Sequence, residues 1–109
     1  YYSAAFAGLA AIRTPVVDDA NEHIFHQYTL RVERRDELAA HLKAQGIGHA
    51  VYYPVPLHRQ TAWLQNGFPT LNLPQAEYYT SHNIALPVFP ELTEAEVSHI
   101  IEATVAFFD

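Results

Sequence analysis

Between His23 and Glu33 the chain alternates with a period of two. Ile24, His26, Tyr28, Leu30 and Val32 fall on one side, and Phe25, Gln27, Thr29, Arg31 and Glu33 on the other. Side chains of a strand point alternately to opposite faces, so this pattern, rich in β-branched and aromatic residues, predicts a half-buried strand. The other strand-like segments are short and few. A sheet built around this one therefore needs helices over a face to bury it.

The flanking segments supply those helices. Tyr1–Ile12 is Ala-rich with apolar residues at Tyr2, Phe6 and Leu9, which predicts a helix ended by Thr14-Pro15. Asp18, Asp19 and Asn21 make a polar loop. Arg34–Gln45 predicts a second helix with Leu38, Ala39 and Leu42 as its apolar stripe and Asp36 and Glu37 in its first turn. Gly46 stops it at the left-handed position just past the helix end. A second strand is expected over Ile47–Tyr53, closed by Pro54 and Pro56, which cannot donate to a ladder. Leu57–Asn66 reads as a short helix or turn, Gly67–Leu73 as a loop, Pro74–Asn83 as a helix begun by proline, and Ile84–Leu86 as a short strand. Thr93 and Glu96 form a capping box, Leu92 and Val97 the matching hydrophobic staple, and the helix they begin runs to Phe108. The expected architecture is α+β: a small two-layer sandwich, with a mostly antiparallel sheet of three or four strands covered by helices, in one domain spanning residues 1–109.

Composition removes several kinds of chemistry. There is no cysteine among the 109 residues, which excludes disulfides, thiolate zinc sites, iron–sulfur clusters and a thiol nucleophile. Six basic side chains against twelve acidic ones give a formal charge of -6, so no basic stripe is available to neutralise nucleic-acid phosphates. No apolar run approaches the roughly 20 residues that a membrane helix needs. Methionine is absent even at position 1, as expected of a processed or excised chain.

The seven histidines do not fall at metal-ligand spacing. His23 and His26 are three apart on an expected strand, hence on opposite faces. His26 lies on the apolar side between Ile24 and Tyr28, and reads either as a core histidine satisfied by one hydrogen bond or as a site residue facing a cleft. The segment Val51–His58, VYYPVPLH, crowds two phenols and an imidazole around two prolines. It reads either as an aromatic turn closing the sheet edge or as a stiff binding loop whose tyrosines stack on flat rings or bond sugars and phosphates. No serine lies in a nucleophile-elbow context, and the four glycines are too scattered for a phosphate loop.

Five blocks, HIFHQYTLRV, RRDELAAHLKAQGI, VYYPVPLHRQ, LPQAE and LPVFPELTEAEVSHIIEA, follow in the order and spacing of one family. Across essentially its whole length the chain resembles the C-terminal small domain of the DegT/DnrJ/EryC1/StrS aminotransferases. The resemblance implies a fold-type-I aminotransferase: a large domain holding pyridoxal 5′-phosphate, absent here, beside this small domain, with residues 1–13 as the end of a linking helix. It implies a cytoplasmic homodimer that moves an amino group from an amino acid, typically glutamate, to a keto-sugar, usually nucleotide-linked. Tyr53, Pro54, Pro56 and His58 match the family's loop near the sugar nucleotide, with Tyr52 where a histidine is common. His26 matches a frequent histidine of the first strand. Tyr52, Tyr53, His58 and His26 are the expected substrate-binding residues, and no catalytic, cofactor-binding or metal-binding residue is expected in this chain.

The residues agree with that division of labour. The coenzyme needs a lysine amine in a desolvated pocket. Lys43 is the only lysine, and at 100° per residue it sits about 140° from Leu38, away from the apolar stripe. The chain alone is therefore expected to be inactive. Two other readings of the residues remain: a stand-alone small-molecule-binding or regulatory module, and a domain that self-associates through an exposed apolar face.

Overall fold

In the computed structural model, which describes Tyr1–Asp109, the centre of the expected first strand lies in the middle of the sheet. Strand β2 (Tyr28–Val32) turns Tyr28, Leu30 and Val32 into the core and Thr29 and Arg31 away from it. Strand β1 (Ile12–Arg13) pairs with one edge and β3 (Asn83–Leu86) with the other, both antiparallel, in the order β1-β2-β3. The register sets Ile12 against Val32, Ile84 against Leu30 and Leu86 against Tyr28, so one face of the sheet is continuously apolar.

Helices close that face. Helix α1 (Tyr2–Ala5) contributes Tyr2, and its C-cap contributes Phe6; the two rings stack with centroids 6.0 Å apart. Helix α2 (Arg35–Ala44) contributes Leu38 and Leu42, and α5 (Glu94–Ala106) contributes Ile100 and Ala103. At the end of α2, Gly46 has φ +73°, its N–H donates to the Lys43 carbonyl, and the Ile47 N–H reaches back to Leu42 at 2.9 Å. These are the two bonds of a Schellman motif, which only a residue tolerant of positive φ closes cheaply. Both bonds of the Thr93–Glu96 capping box at the start of α5 are present. Two histidines tie α2 to α5: His41 Nε2 is 3.0 Å from the Ala103 carbonyl and His99 Nε2 is 3.2 Å from that of Gln45. The short α3 (Thr61–Gln65) and the longer α4 (Pro74–His82) complete the chain. The architecture is α+β, as expected.

Three expectations are corrected. The first helix does not reach Ile12; it ends at Ala5, the chain turns at Gly8 (φ +86°), and Ile12–Arg13 becomes a strand. Pairing with β2 buries Ile12 and outweighs the helical spacing of the apolar residues. The strand expected over Ile47–Tyr53 reduces to one bridge, in which Ala50 and Ala85 exchange both backbone bonds at 3.1 and 2.7 Å. The next rung would pair Tyr52 with Asn83, but the Tyr52 N–H is taken instead by the Asn83 side chain. The alternation over His23–Gln27 is not a strand either. Phe25 adopts φ +47° with its N–H bonded to His23 Nδ1 at 2.8 Å, which swings Phe25 against the core and leaves Ile24 exposed. His26 is consequently exposed rather than set on an apolar strand face.

Candidate functional site

The segment that begins at Ala50 is fastened to β3 and then leaves the sheet. Asn83, only 7% exposed, is the fastener. Its Oδ1 accepts from the Tyr52 N–H at 2.9 Å, and its Nδ2 donates to the Tyr79 carbonyl at 2.8 Å. Its own carbonyl accepts from Arg35 Nη1 at 3.0 Å, which also bonds the Thr80 carbonyl near the end of α4. One buried residue of β3 thus joins the aromatic loop and α4 through its side chain and α2 through its main-chain carbonyl. Sequence reasoning passed over Asn83, though an asparagine at the junction of a helix and a strand is a residue able to bond both.

Beyond that anchor Tyr52 and Tyr53 are exposed, their peptide bond is cis, and their rings meet edge to face with centroids 5.8 Å apart. Pro54 and Pro56 carry the chain to a single 3-10 turn, Leu57–Arg59. This turn buries His58 to 4% exposure. His58 Nε2 lies 3.1 Å from Glu77 Oε1, an oxygen that also accepts from Arg59 Nε and Nη2 at 3.0 and 2.8 Å. These hydrogen bonds, the His58 one foremost, hold the Glu77 carboxyl below its ordinary pKa. The imidazole therefore pins the loop to α4 and leaves the outer surface to the tyrosines.

The four expected site residues separate into two clefts. His26 and Tyr52 line one of about 290 Å³, floored by Ala85 and Leu86 of β3 and walled by Phe89. Tyr53 and His58 line a second of about 460 Å³, closed by Trp63, Leu73 and Tyr79. Adjacent in sequence, Tyr52 lines the first and Tyr53 the second. The first cleft offers an imidazole and a phenol at its rim. The second is mostly apolar and suited to the flat face of a ring.

The residues do not fit pyridoxal phosphate. Lys43 is exposed in the last turn of α2, so the chain offers no desolvated amine to a carbonyl of the coenzyme.

Residues 1–105 match the DegT/DnrJ/EryC1/StrS aminotransferase family. The chain is 44% identical, over 87% of its length, to a Geobacillus stearothermophilus protein named pleiotropic regulatory protein. It is 37% identical, over 94% of its length, to the dTDP-3-amino-3,4,6-trideoxy-alpha-D-glucose transaminase of Streptomyces venezuelae. It covers 26% and 27% of those two proteins, about a quarter of each. Among solved structures, DesV of S. venezuelae in complex with a ketimine intermediate superposes with a TM-score of 0.92 at 35% identity, over 99% of this chain and 29% of DesV. No helix is long and apolar enough to cross a membrane. With the family matched over all but its last four residues, this chain belongs to the DegT/DnrJ/EryC1/StrS aminotransferase family.

Proposed function

We propose that these residues form the C-terminal small domain of a pyridoxal-phosphate-dependent aminotransferase that transfers an amino group from an amino acid, with glutamate the expected donor, to a nucleotide-linked keto-sugar. A large domain outside these residues supplies the coenzyme site, and the working enzyme is a cytoplasmic homodimer. The family match over nearly the whole chain carries this reading. Named transaminases of dTDP- and UDP-linked sugars among the relatives support the substrate class.

The part played by this chain is to wall the substrate cleft. Tyr52 and Tyr53 present rings and hydroxyls on a loop whose two prolines and two anchors, Asn83 and Glu77, leave little freedom to lose on binding. His58 positions the loop from beneath, and His26 faces the same cleft as Tyr52. Tyr53 is 69% exposed, so its removal does not open the core. In the full-length gene product, Tyr53→Ala raises KM for the nucleotide sugar about tenfold, a loss of uniform binding, while kcat and coenzyme binding stay near wild type. Unchanged KM contradicts the assignment.

A second reading, a binding or regulatory module without transaminase activity, is favoured by the name of the Geobacillus relative. Glutamate-dependent amination of a nucleotide keto-sugar by the full-length gene product separates the two: turnover supports the enzyme, and ligand binding without turnover supports the module.

A further inference from the structure

Six basic side chains face twelve acidic ones in this chain, five of the six being arginines. Three arginines are paired: Arg34 with Glu37, Arg35 with Asp36 and Arg59 with Glu77. Arg13 and Arg31 have no carboxylate partner despite the excess of acid. The antiparallel register sets these two directly opposite one another, on the sheet face turned away from the core. Like charges at one cross-strand position repel, so strand pairing by itself disfavours this placement.

Arg31 is held firmly. Its Nη1 donates to the Tyr79 hydroxyl at 2.8 Å, and its guanidinium carbon lies 5.2 Å from the Tyr79 ring centroid and 5.7 Å from that of Tyr78. Contact with aromatic faces orients a guanidinium and steadies its charge without neutralising it. The Arg31 Nε is buried and has no hydrogen-bond partner, so the group carries a desolvation cost that no carboxylate of this chain offsets. Arg13 and Arg31 line one cleft of about 340 Å³ together with Thr14, Thr29 and Tyr79, and no acidic residue lines it.

We propose that the Arg13–Arg31 cleft binds a phosphoryl oxyanion, either free or as the diphosphate of a nucleotide. Two guanidinium groups with hydroxyl donors around them suit a group that presents several charged oxygens in a fixed geometry. The site is defined by residues of this chain; its nucleotide form rests on the nucleotide-sugar reading above, whereas its binding of the bare anion does not, so pyrophosphate binding without turnover separates the two.

The test is isothermal titration calorimetry on the full-length gene product, reconstituted with pyridoxal phosphate and dialysed. The probes are inorganic pyrophosphate, uridine 5′-diphosphate and, as a dicarboxylate control, glutarate. Pyrophosphate binds saturably, and Arg13→Gln and Arg31→Gln each weaken it about tenfold or more, with Arg13→Lys in between. Arg13 is exposed, so Arg13→Gln decides the matter if Arg31→Gln fails to fold. Tighter binding of uridine diphosphate with the same arginine dependence makes the source a nucleotide, whereas equal binding makes it the free anion. Three results overturn the proposal: no saturable binding of either phosphoryl probe, affinity unchanged in Arg13→Gln, or glutarate binding as tightly as pyrophosphate with the same dependence on Arg13.

Discussion

The Asn83 side chain takes the backbone N–H of Tyr52 at 2.9 Å, at the point where a regular sheet would have made its next rung. That bond ends strand pairing and releases the chain into the aromatic loop. Asn83→Ala leaves the Tyr52 N–H without its partner in a part-buried setting, while the Tyr79 carbonyl keeps the backbone N–H of residue 83. It should lower the unfolding free energy by about 1–3 kcal/mol. A urea midpoint shifted downward at constant slope is the expected outcome; an unshifted midpoint means that water replaces the amide and the anchor is dispensable.

Glu77 is held below its usual pKa by His58 first and Arg59 next. A carboxylate whose folded pKa is depressed contributes stability that is complete above the unfolded value, about 4.3, and is lost as pH falls through the lowered folded value. The stability gap between wild type and Glu77→Gln is therefore widest at neutral pH and narrows on acidification below the ordinary glutamate range. Denaturant titrations at neutral and acid pH measure it, and a gap that holds constant or widens in acid contradicts the linkage.

Thr93 begins α5 with a side chain that accepts from the Glu96 N–H, while Glu96 reaches back to the Thr93 N–H at 2.8 Å. Thr93→Ala removes the cap and should cost about 1 kcal/mol, with Thr93→Ser close to wild type. Because α5 carries Ile100 and Ala103 into the core, the loss registers in global unfolding. If helix fraying appears without any change in the global midpoint, α5 is not part of the cooperative unit.

Much of the fold was legible because its signals were local. The Thr93–Glu96 box, the Gly46 stop and the Pro74 start each act within a turn or two, and each is where the sequence put it. Tertiary contacts decided the rest. Ile12 became a strand residue because Val32 was there to pair with it. Ile24 and Phe25 exchanged sides because a single positive φ at Phe25 outweighed a pattern of alternation. The site was legible in the same uneven way. The crowding of Tyr52, Tyr53 and His58 is visible in the chain, but the burial of His58 against Glu77, nineteen residues away, is not. Neither is the opposition of Arg13 and Arg31, which rests on a strand that the sequence pattern concealed.

The central claim is that this chain walls a substrate cleft while the reactive amine lies elsewhere. Borohydride reduction of the full-length gene product with bound pyridoxal phosphate, followed by peptide mass spectrometry, tests it most directly. The account predicts a stoichiometric pyridoxyl group on a lysine outside these 109 residues and none on Lys43. A stoichiometric adduct on Lys43 contradicts it.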